Sequence, residues 1–205
     1  MENTIEKKDI TVADLRRSNI PEHFWYATVS SIPEHLPYQK KVLAYYAQME
    51  NFIDQGLGLF LFSEQNQTGK TSIASALLKR AIRLRKTVYF TEAGSLKNAL
   101  TRNESFEPDM MLEQRVKSVD VLAIDDLGKE YRTSSGYAEN IFENIIRYRV
   151  QGRKATLITT NILPKEIENT YSASLAALLK GTLIILEVSG YNWIESKQQE
   201  LKKFL

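Results

Sequence analysis

The chain has 205 residues, 43% of them hydrophobic, which is enough to fill one α/β core with a short appendage, while two domains would be cramped. The absence of Cys excludes disulfide frameworks, Cys-based zinc sites and thiol nucleophiles, and it suits a reducing cytoplasm. A net charge of +2 permits a nucleic-acid partner without requiring one; the charged N-terminus has no signal-like apolar stretch, and no run approaches the ~18 apolar residues of a membrane span.

The polar first 19 residues read as a tail, with one core plus a C-terminal helix expected over 20–205. Apolar positions at Val42, Leu43, Tyr45, Tyr46, Met49, Phe52 and Ile53 have helical spacing across 38–55, and Gly56 and Gly58 stop that helix. An apolar run at 58–63 predicts a strand, followed by a loop and a helix to about Arg85 with Ile73, Leu77, Ala81 and Leu84 on one face. A β-rich run at 87–91 precedes helical segments near 94–102 and 108–117, then a strand at 119–124. A helix over 136–150, a strand at 155–160, helical character over 164–180 and a last strand at 182–188 complete the chain. Strands that alternate with helices, and that read as continuous apolar runs, predict a parallel sheet covered by helices on both faces.

Three strand ends carry polar groups suited to one task. The first strand runs into Gln65-Asn66-Gln67-Thr68-Gly69-Lys70-Thr71-Ser72, whose Thr-Gly-Lys-Thr is the closing half of a phosphate-binding P-loop. A tight loop opening a helix aims backbone N–H groups, an ammonium and a hydroxyl at one point, which suits ATP or ADP with Mg²⁺. Residues 65–72 are therefore candidate nucleotide contacts. The strand at 119–124 ends in Asp125-Asp126, placing two carboxylates where open parallel sheets bind ligands. Thr71 and Asp125 are candidate metal ligands, and Asp126 is a candidate to orient an attacking water. The strand at 155–160 ends at Asn161, a candidate donor to the γ-phosphate or that water. Each acid or amide could equally be a turn former ending a strand. Their joint occurrence in this order favours the site.

With these residues the chain resembles the AAA+ ATPases of the DnaC/DnaI helicase-loader and IstB transposition-helper group. The resemblance rests on Gly69-Lys70-Thr71, on Ile124-Asp125-Asp126-Leu127-Gly128-Lys129-Glu130 and on Thr159-Thr160-Asn161. Ile20-Pro21-Glu22-His23-Phe24-Trp25-Tyr26-Ala27-Thr28 is similar to the group's segment beside the adenine. It implies a P-loop NTPase core without a separate lid domain, Mg-ATP as ligand and a replicative helicase as partner, or a transposase for an IstB-like helper.

Two departures shape what is expected of the chemistry. Glu64 and Gln67 stand where the group's loop has glycines, which tolerate φ > 0 and let backbone approach phosphate. Weakened nucleotide binding follows. No Arg occurs after Arg153, and Ala177 and Lys180 lie in the segment where the group carries its arginine finger, so slow intrinsic hydrolysis, or an adaptor without turnover, is expected. A small-molecule kinase would need an Arg-rich lid that these last residues lack. Lys97, Arg102, Arg115 and Lys117 are candidates for single-stranded DNA, and Arg147, Arg149, Arg153 and Lys154 for phosphate or a second copy of the chain. The stretch from Tyr191 to Leu205 reads as an amphipathic helix.

Overall fold

The computed structural model describes residues 9–101, 110–128 and 137–193. Arg102, residues 129–136 and the expected C-terminal helix beyond Trp193 lie outside the described residues.

Five parallel strands form one sheet: β1 (Gly58–Phe62), β2 (Val88–Glu92), β3 (Val121–Leu127), β4 (Ala155–Thr160) and β5 (Leu183–Glu187), in spatial order β2-β3-β4-β1-β5. Leu59 pairs with Leu157 and Ile184, and Ala123 with Phe90 and Leu157, so β1, β3 and β4 are interior strands. Interior position explains their unbroken apolar runs, because both faces of each strand are covered. Leu59, Leu61, Val121, Ala123 and Leu157 face one half of the core; Phe60, Leu122, Ile124 and Ile158 face the other.

On the first face lie α1 (Val12–Arg17), α2 (Gln39–Ala47), α3 (Met49–Asp54) and α4 (Lys70–Arg83). Ile73, Ala74, Leu77, Leu78, Ala81 and Ile82 of α4 are buried there, an apolar stripe at helical spacing. The single helix expected over 38–55 is broken at Gln48. On the second face lie α5 (Ala93–Thr101), α6 (Met110–Ser118), α7 (Tyr137–Gln151), α8 (Ile167–Thr170) and α9 (Ala173–Thr182).

The described part of the expected N-terminal tail belongs to the core. Thr11 caps α1 through a reciprocal box with Asp14, Leu15 is buried, and the Phe90 N–H donates to Ser18 O at 2.9 Å. That last bond, with Asn19 Nδ2 donating to Phe90 O, covers the open edge of β2. Composition missed this because one buried Leu among charged neighbours leaves no periodic signal.

Arg149 corrects the reading of the second basic group. Its guanidinium is fully buried and donates to Thr156 Oγ1 and to the carbonyls of Val116, Val119 and Ala155 at 2.6–3.0 Å. It ties α6, α7, β4 and the turn before β3 together, and its donors are taken up by these protein acceptors. Lys154 is bonded to Asp120 and Arg147 to Glu143, which leaves that run without a common cationic face.

Candidate functional site

The loop after β1 turns tightly and opens α4, whose N-cap is Gly69 at φ +92°. Glu64 through Gln67 are exposed, and Thr68 and Lys70 are buried. Gln67 sits at φ +61°, in the left-handed region where a side chain is disfavoured. The chain therefore adopts at Gln67 the conformation for which glycine was expected, and Gln bears the strain.

Lys70 curls back over its own loop, its ammonium donating to Gln65 O at 3.0 Å and to Thr68 Oγ1 at 3.3 Å. These acceptors hold the cation at the mouth of the cradle, where phosphate oxygens can exchange for them. Trp193, from the segment after β5, covers the loop. Its N–H donates to Gln67 O at 3.1 Å and its indole Nε1 to Thr68 O at 3.2 Å. A Cβ on Gly69 would lie 2.3 Å from that indole nitrogen, so glycine is required here by close approach as well as by φ. Trp193 was expected only as part of an amphipathic helix, and no local signal connects it to residue 68.

The two aspartates separate in role. Between Ile124 and Leu127 the β3–β4 register slips at a bulge where Asp126 takes φ +57°, and Asp126 is half-buried beside the buried Asp125. Asp125 is buried. Its Oδ1 accepts from Thr71 Oγ1 at 2.9 Å and from Thr159 Oγ1 at 2.5 Å. Burial pushes its carboxyl above the ordinary aspartate range, while the Thr159 and Thr71 hydroxyls pull it back. Thr159 also accepts the Asp126 N–H at 2.9 Å, so one hydroxyl orients both residues. Sequence reasoning singled out Asn161 in this strand and overlooked Thr159, although its position in the Thr-Thr-Asn run was visible. Asn161 Nδ2 donates to Asn66 Oδ1 at 2.7 Å, joining the end of β4 to the loop, and its own Oδ1 is buried without a partner.

Gln65–Thr71, Asp125, Asp126 and Asn161 thus share one end of the sheet. The Thr71 hydroxyl and Asp125 carboxylate are adjacent hard oxygen donors, which fit Mg²⁺ because that ion keeps several waters and completes its shell with substrate phosphates. Among the described residues no group of three His, Cys, Asp or Glu side chains offers a closed protein cage for a metal.

Lys79 fixes the segment expected beside the adenine. From α4 its ammonium donates to Trp25 O at 2.6 Å, to Phe24 O at 3.3 Å and to Ala27 O. Burial, helped by nearby Arg83, lowers its pKa to about 8. On α9, Ala177 and Lys180 are exposed, and Arg147 reaches over from α7 to donate to Ser174 Oγ, lining with Ala177 a cleft of about 360 Å³.

The match to a known family covers most of this framework: residues 6–173 fit the description IstB-like ATP binding protein. The chain belongs to that family. The IstB-like chain is 24% identical over 159 residues to the replicative helicase loader DnaC of Buchnera aphidicola subsp. Schizaphis graminum, a match spanning 76% of this chain and 63% of that protein. DnaC of Buchnera aphidicola subsp. Baizongia pistaciae is 27% identical over 153 residues, spanning 72% and 61%. The chain therefore spans about three fifths of the length of these curated relatives. Its fold superposes on the crystal structure of the DnaC helicase loader with a TM-score of 0.72, at 23% identity, covering 82% of this chain and all of that one. AMPPCP-bound DnaA from Aquifex aeolicus gives 0.68 at 20% identity, covering 87% and 55%. The IstB-like fold is thus the P-loop AAA+ core expected from the motifs. Among the described residues no helix is long and apolar enough to cross a membrane.

Proposed function

We propose that this protein is an ATP-binding helicase loader, and that its nucleotide state governs association with a replicative helicase. The observation that carries the reading is the meeting of Lys70, Thr71, Asp125 and the Asn161–Asn66 pair at one end of the sheet. The likeness to proteins named as replicative helicase loaders supports the choice of partner.

Lys70 exchanges its loop acceptors for phosphate oxygens, and the N–H groups of 67–72 close around the phosphates. Thr71 and Asp125 hold Mg²⁺, which when bound neutralises charge on the phosphate oxygens. Asp126, less buried than Asp125, orients water, and Asn161 senses the γ-phosphate after releasing Asn66. Thr159 keeps Asp125 and Asp126 in these orientations. Intrinsic hydrolysis is slow because α9 presents Ala177 and Lys180 where a fork-shaped cation would face a neighbouring site. Arg147, beside Ala177, is the guanidinium best situated to serve there in a self-assembled form. Single-stranded DNA is the second partner.

The family match also favours a transposition-helper role as the second reading. Affinity capture from the native host with ATP, with ADP and with Lys70→Ala tests both. Nucleotide-dependent recovery of the replicative helicase is expected; recovery of a transposase instead refutes the loader assignment. Steady-state ATPase should be very low for the isolated chain, and rapid Asp126-dependent turnover would refute the account of α9.

A further inference from the structure

The basic residues that are neighbours in sequence do not form a strip in space. Lys97 is buried and engaged within the fold, Lys117 is bonded to Glu113 and lies over Tyr148, and Arg149 is internal. Packing instead brings cations from three separate elements to one cleft of about 670 Å³. Arg17 of α1, Arg85 and Lys86 just after α4, and Arg115 of α6 line it, with Thr87 and Ser118 between them.

The acids of the region are already engaged. Asp14, the one carboxylate among the described residues that lines the cleft, accepts from the Thr11 N–H and hydroxyl; Asp54 holds Lys86, and Asp120 holds Thr87 and Lys154. Arg17, Arg85 and Arg115 are exposed, and among the described residues no carboxylate forms an ion pair with any of them. Arg115 lies 5.0 Å over the ring of Tyr89. Thr87 precedes β2 and Val119 precedes β3, so the cleft sits at the N-terminal ends of these strands, the opposite end of the sheet from Lys70 and Asp125.

We propose that this cleft binds the phosphodiester backbone of a single-stranded nucleic acid. Arg17, Arg85 and Arg115 each take a phosphate, and the exposed Arg115 guanidinium, backed by Tyr89 of the second-face core, presents a plane on which a base stacks. A guanidinium fork matches phosphate oxygens, and spaced cations with one planar guanidinium open to stacking suit a repeating anion with flat bases better than an acidic peptide. The inference rests on the single-strand part of the proposed function, and it assigns that part to a surface distant from the nucleotide.

The test is anisotropy of a labelled oligothymidylate with the full chain, with Arg17→Glu, Arg85→Glu and Arg115→Glu singly and together, and with Lys40→Glu as a charge control. Thermal melting and binding of a fluorescent ATP analogue verify the fold of each variant. With log K falling about 0.7 per phosphate contact for each tenfold rise in salt, each lost contact weakens binding about 8-fold at roughly 50 mM salt relative to roughly 1 M, and the triple variant lowers the salt slope by about 2. Lys40→Glu should leave that slope unchanged. Wild-type binding that the triple variant retains would overturn the site while leaving the single-strand reading intact. No wild-type binding at low salt would overturn that reading and the site with it. Binding of polyglutamate in place of the oligonucleotide, lost in the triple variant, would assign the cleft to an acidic protein and overturn the proposal.

Discussion

Thr159→Val removes one hydroxyl while keeping shape, and two bonds depend on that hydroxyl. It donates to the buried Asp125 carboxylate at 2.5 Å and accepts the Asp126 N–H at 2.9 Å. Losing a bond to a charged group removes about 1.5–3 kcal/mol, and stranding a partly buried N–H adds about 1 kcal/mol. Asp125 can relieve part of this by taking up a proton, since burial already raises its pKa. A net loss of about 3 kcal/mol is expected, corresponding to a fall of roughly 6–12 °C in Tm for a chain of this size. Thr159→Ser retains both bonds and loses only a methyl group, with a loss of about 1 kcal/mol. Urea unfolding gives the stabilities, and titration with a fluorescent ATP analogue in Mg²⁺ gives the functional effect, which should be weaker binding for Val than for Ser. A Val variant within about 0.5 kcal/mol of wild type, a change typical of inconsequential surface substitutions, with unaltered nucleotide affinity, would refute the coupling of both aspartates through Thr159.

Gln67→Gly relaxes a left-handed position at φ +61°, so nucleotide affinity should rise, while the extra freedom of the unfolded chain keeps the change in stability within about 1 kcal/mol; calorimetry with ADP and ATP checks this. In a Trp25→Phe background the remaining indole, Trp193, lies against Gln67 and Thr68, so its emission should change on addition of Mg-ATP, and a silent titration despite calorimetric binding would exclude contact during occupancy. Lys79 concerns stability against pH. Its folded pKa, about 8, lies below its ordinary value of 10.5, so the unfolded chain binds more protons between those values and the group's contribution rises with pH across that window. Lys79→Met should abolish that rise in pH-dependent urea melts, and an identical slope in both proteins would contradict it.

Continuous apolar runs, a 3.6-residue stripe on α4 and polar groups at three strand ends determined the class of fold and the end of the sheet at which the candidate residues gather. These are properties of neighbouring residues, and the local backbone expresses them directly. The glycine-type conformation at Gln67 was legible in the same way, because a phosphate loop needs it whichever residue stands there. Tertiary structure alone decided what surrounds those groups. Thr159 meets a carboxylate 34 positions away, and Trp193 meets a carbonyl 125 positions away. Arg149 looked like its exposed neighbours in sequence, yet it is buried among carbonyls from α6 and β4. Arg17, Arg85 and Arg115 are scattered along the chain but line one cleft. Charge in a sequence records what a side chain carries; whether it meets solvent, a carbonyl or another cation depends on how the helices settle on the two faces of the sheet, which packing of the whole core decides.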